Sequence, residues 1–235
     1  MSDLSNRLST IADFVPQNSK VCDIGTDHGY LAIELSKSGK AKTVIATDIA
    51  EKPLSNAAKN IEKANIKNIS LRLCNGLSAV KPEETDTVII AGMGGEVIAS
   101  ILQNGSNITA KKSVRLILQP TTSPEALRRF LYENGYMVVQ EKAVFENNKL
   151  YSVMLAQFTG ESCILQDFLY YIGKLTPENE ASAMYIKKQQ KRAEKCMQSL
   201  ENIESKQTEY QHYKSVFYGI TEFLNSFNGE QNHGI

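Results

Sequence analysis

The stretch Lys20-Val-Cys-Asp-Ile-Gly-Thr-Asp-His-Gly-Tyr30 limits the possible folds of this chain more than any other. Val21, Cys22 and Ile24 have the apolar character of a buried strand, and Tyr30-Leu-Ala-Ile-Glu-Leu35 continues at helical spacing. Between them, Gly25 and Gly29 allow a tight turn in which the backbone approaches a ligand closely. A buried strand feeding a glycine-marked turn and then a helix has the form of a nucleotide-like cofactor site, with Asp23 as its acid.

The same alternation continues along the chain. Leu4, Leu8, Ile11, Ala12 and Val15 predict a short amphipathic helix, stopped by Pro16, ahead of the first strand. The β-branched run 42–48 ends in Asp48, and a helix follows from near Pro53 to about Ala64. Residues 69–74 alternate into Asn75-Gly76, and 87–91 run into Gly92-Met-Gly-Gly95 and a helix through Leu102. Residues 114–118 close on Gln119-Pro120, and Ser123-Pro124 caps a helix over 125–133. Runs at 136–145 and 150–158, separated by Glu146-Asn-Asn-Lys149, predict a hairpin. Five β–α units and a terminal antiparallel strand pair imply an α/β, Rossmann-like doubly wound parallel sheet, on which ligands bind beyond the carboxyl ends of the strands. The loops 23–29, 48, 75–76 and 91–95 all lie at those ends.

From about Glu161 the strand patterns stop. Thr176-Pro177-Glu178 reads as a helix start, with Thr176 as N-cap and Pro177 at the first helical position. Ile186, Ala193 and Leu200 then recur at heptad spacing, and Tyr210, Tyr213, Phe217, Ile220, Leu224 and Phe227 step by three and four. A single helix over 178–227 would be about 75 Å long, but the stripe slips in phase across polar Glu204-Ser-Lys-Gln-Thr-Glu209. Two antiparallel helices, a coiled-coil hairpin, fit better. The expected domains are residues 1–160 and 161–235.

A hydrophobic content of 42% and a net charge of zero describe a globular chain and leave a local basic face open. The four cysteines, Cys22, Cys74, Cys163 and Cys196, form no CxxC pair, as expected of reduced thiols in a cytoplasmic protein. No apolar core of signal-peptide length opens the sequence, and no run reaches the ~18 apolar residues of a membrane span.

Asp23-Ile-Gly-Thr-Asp-His-Gly29 has the spacing of neither the dinucleotide fingerprint nor the phosphate loop. It resembles motif I of Rossmann-like S-adenosylmethionine methyltransferases, whose cofactor has no phosphates and presents an ammonium that suits a carboxylate. The alternative is a plain strand-to-helix turn in which Asp23 satisfies loop amides. Asp48, about twenty residues after the turn, is placed to accept ribose hydroxyls or to cap the next helix. Asn75-Gly76 lies beside an adenine or forms an ordinary turn. The glycines of 91–95 make room for a large flat group. Asp27 and His28 are candidate base, substrate contact or capping residues, and His28 has no Cys or His neighbour with which to bind a metal. Lys187, Lys188, Lys191, Arg192 and Lys195 share a helix surface away from the seam, as either a solvated face or a phosphate-backbone contact.

Asp-Ile-Gly-Thr-Asp-His-Gly-Tyr-Leu, Ala-Thr-Asp-Ile, Asn-Gly-Leu, Ala-Gly-Met-Gly-Gly and Leu-Gln-Pro together resemble the bacterial tRNA (adenine-22-N1)-methyltransferase family over nearly the whole chain. Thr121 departs from it, standing where the family has Asn. The resemblance implies methyl transfer from S-adenosylmethionine to N1 of an adenine in the D-arm region of tRNA; no obligate protein partner is evident in the sequence. Asp23, Gly25, Thr26, Asp27, His28, Gly29, Asp48, Ile49, Asn75, Gly76 and Ala91 would line the cofactor pocket. Asp27 and His28 would be the candidate catalytic groups. Arg7, Gly92, Met93, Gly94, Gly95, Gln119 and Pro120 would flank the target base, and the basic residues of 187–195 would bind tRNA. The chain lacks the Asn/Asp-Pro-Pro-aromatic motif of exocyclic adenine methylation. Another RNA, a protein or a small molecule is the alternative acceptor, and a non-catalytic binding protein the alternative class.

Overall fold

In a computed structural model of the chain, residues 4–232 are described, with side chains through Phe227. Positions 1–3 and 233–235 of the expected domains lie outside the described residues. The chain divides into two compact units, Met1–Cys163 and Ile164–Ile235. The amides of Thr159 and Gly160 bond the Gly135 carbonyl, and the Cys163 amide bonds the Tyr132 carbonyl, so residues 161–163 stay with the first unit.

The first unit runs α1 (Asn6–Asp13), β1 (Ser19–Ile24), α2 (Tyr30–Lys37), β2 (Ala41–Asp48), α3 (Glu51–Lys63), β3 (Ile69–Leu73), β4 (Thr87–Gly94), α4 (Gly95–Asn104), α5 (Ser106–Thr109), β5 (Arg115–Thr122), α6 (Pro124–Glu133), β6 (Tyr136–Glu146) and β7 (Lys149–Phe158). Its seven strands form one sheet in the order β3-β2-β1-β4-β5-β7-β6. The first five are parallel, and β7 runs antiparallel to both β5 and β6. Val88, Ile89, Ile90, Leu116, Ile117 and Leu118 are all 0% exposed. Consecutive buried residues mean that both faces of the sheet centre are covered, which explains unbroken apolar runs in place of alternation. On one face, Ile11, Phe14 and Val15 join Leu31, Leu35, Val21, Val44, Ile89 and Ile117 in a single cluster. The chain leaves β1 toward β2 and β3 and returns to β4 beside β1, which puts the topological switch point, and the crevice it opens, between β1 and β4.

Two local expectations change, and the expected hairpin is refined. No helix follows β3: the return loop is stapled by Arg72, whose guanidinium donates to the Ala79 carbonyl at 2.7 Å and to both Glu84 oxygens at 2.9 and 2.7 Å. Ser123 makes no side-chain cap, because it sits in the left-handed region at φ 49, and Pro124 opens α6 unaided. The hairpin turn places Asn147 at φ 48 and Asn148 at φ 59, the pair of positive angles a type I′ turn requires.

The second unit holds α7 (Asp167–Ile172), α8 (Glu180–Leu200), a 3-10 turn at Glu204–Lys206 and α9 (Gln207–Asn232), so α8 and α9 form a hairpin broken where the apolar stripe slips. Asn179, not Thr176, caps α8: its side chain accepts the Ser182 amide at 2.9 Å, while the Thr176 hydroxyl is bonded to Glu178. The α8 seam is Tyr185, Ile186, Gln189 and Ala193. On α9 the buried residues among those described are Val216 and Ile220, with Tyr210, Tyr213 and Phe217 only half-buried at the seam's margin. The short helix α7, not expected from periodicity, packs on α9 and buries Tyr170, whose hydroxyl accepts the Leu165 amide at 2.8 Å.

Candidate active site

Asp23 is the penultimate residue of β1, 4% exposed, and its Oδ2 accepts the Thr26 hydroxyl at 2.7 Å. The turn beyond it hangs on β2, since the amides of Gly25 and Thr26 both bond the Thr47 carbonyl, at 2.8 and 3.1 Å. From α3, the Asn60 amide donates to the His28 carbonyl at 2.9 Å. Gly25 takes φ +75, which favours glycine, and a Cβ there would displace the Met93 methyl that packs beneath it. Burial pushes the Asp23 carboxyl up to about 6, with the Asp48 charge adding to the rise and the Thr26 hydrogen bond opposing it. A buried carboxylate held at this cost is what a cationic ligand would relieve.

A cavity of about 310 Å³ opens at the switch point, lined by Asp23, Gly25, Thr26, Asp27 and His28 on the β1 side and by Ala91 and Gly92 from β4. Arg7, Leu8, Tyr30 and Leu31 complete its wall. Asp27 sits at φ 50, a strained angle for a non-glycine residue, and its Oδ2 lies 3.6 Å from His28 Nε2. The His28 ring stacks on Tyr30 with centroids 5.4 Å apart, forming a flat, partly exposed aromatic shelf.

The other expected site residues do not line this cavity directly. Asp48 Oδ1 accepts the Ala50 amide at 3.0 Å, a turn contact before α3 and not a cap of it, while Oδ2 has no hydrogen-bond partner among the described residues. Ile49 beside it is 72% exposed. Asn75 and Gly76 line a separate cavity of about 410 Å³ with Ile101, Asn104 and Asn107, and the Thr47 hydroxyl ties the Gly76 carbonyl to the end of β2. Met93 fills the space under Gly25, and Gly95 lets α4 start against the Ser123 carbonyl, where a Cβ would collide. Thr121 donates to the Met93 carbonyl at 3.0 Å, and Pro120 pairs with Met93 in the strand register, so both brace the β4 turn. Gln119, 0% exposed, reaches the site through its contacts with Arg7 and Gly92. Lys187, Lys188, Lys191, Arg192 and Lys195 are exposed on α8 of the second unit. Tyr30, Leu8 and Leu31 were not expected at the site; their apolar spacing marks them only as helix-face residues. Among the described residues no group of His, Cys, Asp and Glu is arranged to hold a metal, and no helix is long and apolar enough to cross a membrane.

This strand order, with a buried acid and glycine turn at the switch point and β7 antiparallel beside β5, defines an S-adenosylmethionine-dependent methyltransferase. Residues 4–154 match the family described as a methyltransferase domain. A tRNA (adenine(22)-N(1))-methyltransferase of Bacillus subtilis is 35% identical over 190 residues, 79% of each chain. The crystal structure of the B. subtilis m1A22 tRNA methyltransferase TrmK covers 95% of this chain and 100% of its own at 27% identity and a TM-score of 0.85. A Streptococcus pneumoniae protein assigned as a tRNA (m1A22) methyltransferase and solved with S-adenosyl-L-methionine covers 92% of this chain and 100% of its own, at 35% identity and a TM-score of 0.78. The chain belongs to the tRNA (adenine(22)-N(1))-methyltransferase family.

Proposed function

We propose that this enzyme methylates N1 of adenine 22 in tRNA, and that the cavity joining the Asp23 turn, Gly92 and Arg7 is where base and cofactor meet. The carrying observation is that one crevice brings together a buried carboxylate, a glycine turn, an aromatic shelf and an arginine. Asp23 holds the ammonium of S-adenosylmethionine, Asp48 Oδ2 accepts from its ribose, and Ile49 with Asn75 and Gly76 flanks its adenine. When bound, the cofactor supplies an electrophilic methyl on a sulfonium. The chain's own task is alignment, because adenine N1 carries a lone pair at neutral pH and needs no base to unmask it. The pairing edge must first be freed from the tRNA fold, and the His28–Tyr30 shelf offers the extruded purine a stacking surface. The methylated base is cationic, so the Asp27 carboxylate stabilises the developing charge.

The helical unit supplies the tRNA contact. At about 100° per residue the five basic residues of α8 occupy roughly 140° of arc centred opposite the seam of Tyr185, Ile186, Gln189 and Ala193. Replacing Lys187, Lys191 and Lys195 together by Glu is expected to raise the KM for tRNA, lower the salt dependence of binding by about 2–3 in log–log slope, and leave cofactor affinity unchanged; isothermal titration and filter binding across a salt series read both. The acceptor is tested by incubating the protein alone with methyl-labelled S-adenosylmethionine and unmodified tRNA transcripts with A22 or G22. Label as 1-methyladenosine in the A22 transcript only is the expected result, and label absent or at another position defeats the assignment.

A further inference from the structure

Arg7 is held on several sides before any substrate arrives. Its backbone amide donates to Glu146 Oε2 at 2.9 Å, Nε lies 3.5 Å from Glu146 Oε1, and Nη1 donates to Gln119 Oε1 at 2.7 Å. The guanidinium carbon lies 5.9 Å from the centroid of the Tyr151 ring. Glu146 ends β6, so the far end of the sheet grips a side chain of α1 that stands 139 residues away in sequence. Gln119 has no freedom to turn, because its Oε1 also accepts the Gly92 amide at 3.1 Å while Nε2 donates to the Pro120 carbonyl at 2.8 Å. Arg7 Nη2 alone has no partner among the described residues, and Arg7 lines the cavity with Asp23 and Gly92.

We propose that Glu146 is a positioning residue for the substrate: with Gln119 it fixes Arg7 so that the Nη2 edge takes a phosphate oxygen of the nucleotide carrying the target base. The inference rests on the tRNA-methylating reading above and adds how the nucleotide is gripped. A phosphate is favoured over the base edge by charge. Both the sulfonium donor and the methylated base are cationic, so a guanidinium against N1 would oppose the reaction, whereas the nucleotide's anionic part is its backbone. Pre-fixing the fork removes the side-chain ordering cost at the moment of binding. Burial pushes the Glu146 carboxyl up, but the Arg7 amide, the Ser5 hydroxyl and the Arg7 charge outweigh it and leave it below the usual carboxylate range. It therefore stays ionised at neutral pH and can serve as the charged half of the clamp.

Glu146 also caps the α1 amide, so a structural role must be separated from a positioning one. Glu146→Gln keeps an acceptor for the Arg7 amide and removes the ion pair. In this variant the KM for tRNA is expected to rise about tenfold, with kcat and the S-adenosylmethionine Kd unchanged and the melting temperature lowered by only about 2–4 °C. Arg7→Ala is expected to raise the KM likewise and to lower the salt slope of tRNA binding by about one, and adding Glu146→Gln to it should change nothing more. The proposal is overturned by an unchanged KM in Glu146→Gln, by a further rise on top of Arg7→Ala, by an unaltered salt slope, or by parallel loss of melting temperature and cofactor affinity. A wild-type protein that methylates no tRNA overturns the reading beneath it as well, which an active wild type with an unaffected Glu146→Gln does not.

Discussion

Asp23→Asn should abolish cofactor binding and, at the same time, make the ligand-free protein more stable. The carboxyl is 4% exposed and burial lifts it from 3.8 to about 6. Because the folded value lies above the unfolded one, the associated stability is fully present below about pH 4 and is lost as pH rises through about 6. At pH 7.5 the wild type carries an ionised buried carboxylate at a cost of about 3 kcal/mol. Asparagine keeps an acceptor for the Thr26 hydroxyl and removes that cost. The variant's melting temperature should rise by roughly 6–12 °C at pH 7.5 and converge on the wild type near pH 4. Calorimetric titration should show the S-adenosylmethionine Kd weakened by about 100-fold or more, since a buried charge partner is gone. Wild-type affinity should fall as pH drops below about 6 while the variant stays flat. A variant that melts lower at pH 7.5, or that still binds within about threefold of wild type, would show that Asp23 is a structural acid.

That trade explains why the central turn is readable in sequence. An acid placed among Val21, Cys22 and Ile24 conflicts with burial unless a ligand compensates it, and such local conflicts mark sites. The sheet is legible for the related reason that apolar runs followed by Asp23, Asp48, Asn75 and Gly92 repeat one strand-to-loop grammar. Pairwise grip is not legible. Arg7 and Glu146 are separated by 139 residues, and nothing in the local pattern of either points to the other. Glu146 reads as a hairpin-turn residue, and Gln119 reads as the end of a strand. The α8 cap is hidden because Thr176-Pro177 satisfies the local rule, yet the chain bonds Thr176 to Glu178 and delays the helix to Asn179. On α9 the aromatic residues dominate a hydrophobicity pattern, but the smaller Val216 and Ile220 are the ones that fit fully inside the packed seam.

Arg128 is the buried group the sequence hides most completely, and it carries the largest expected loss of stability. In Pro124-Glu-Ala-Leu-Arg-Arg-Phe-Leu131 an arginine pair reads as the wet face of α6, yet the Arg128 side chain is 0% exposed. Its Nε and Nη2 donate to Glu141 Oε1 on β6 at 3.2 and 2.6 Å, and Nη2 also donates to the Ser152 hydroxyl on β7 at 3.1 Å. The Glu141 side chain is likewise 0% exposed. Neither charge can be rehydrated in place, so the pair is far from the surface regime in which ion pairs contribute little. Glu141→Ala removes the carboxylate that compensates a buried guanidinium and is expected to destabilise the protein by about 3–5 kcal/mol, read as a shifted urea midpoint at unchanged slope. The same physics predicts a different outcome for replacing both: Arg128→Met with Glu141→Leu removes both desolvation costs together and should recover most of that loss. Cofactor affinity measured well below the melting temperature should be the same in all three proteins, since α6, β6 and β7 meet away from the Asp23 cavity. A single variant losing less than about 1 kcal/mol would mean that water reaches the pair, and that its burial is not what holds α6 to the antiparallel strands.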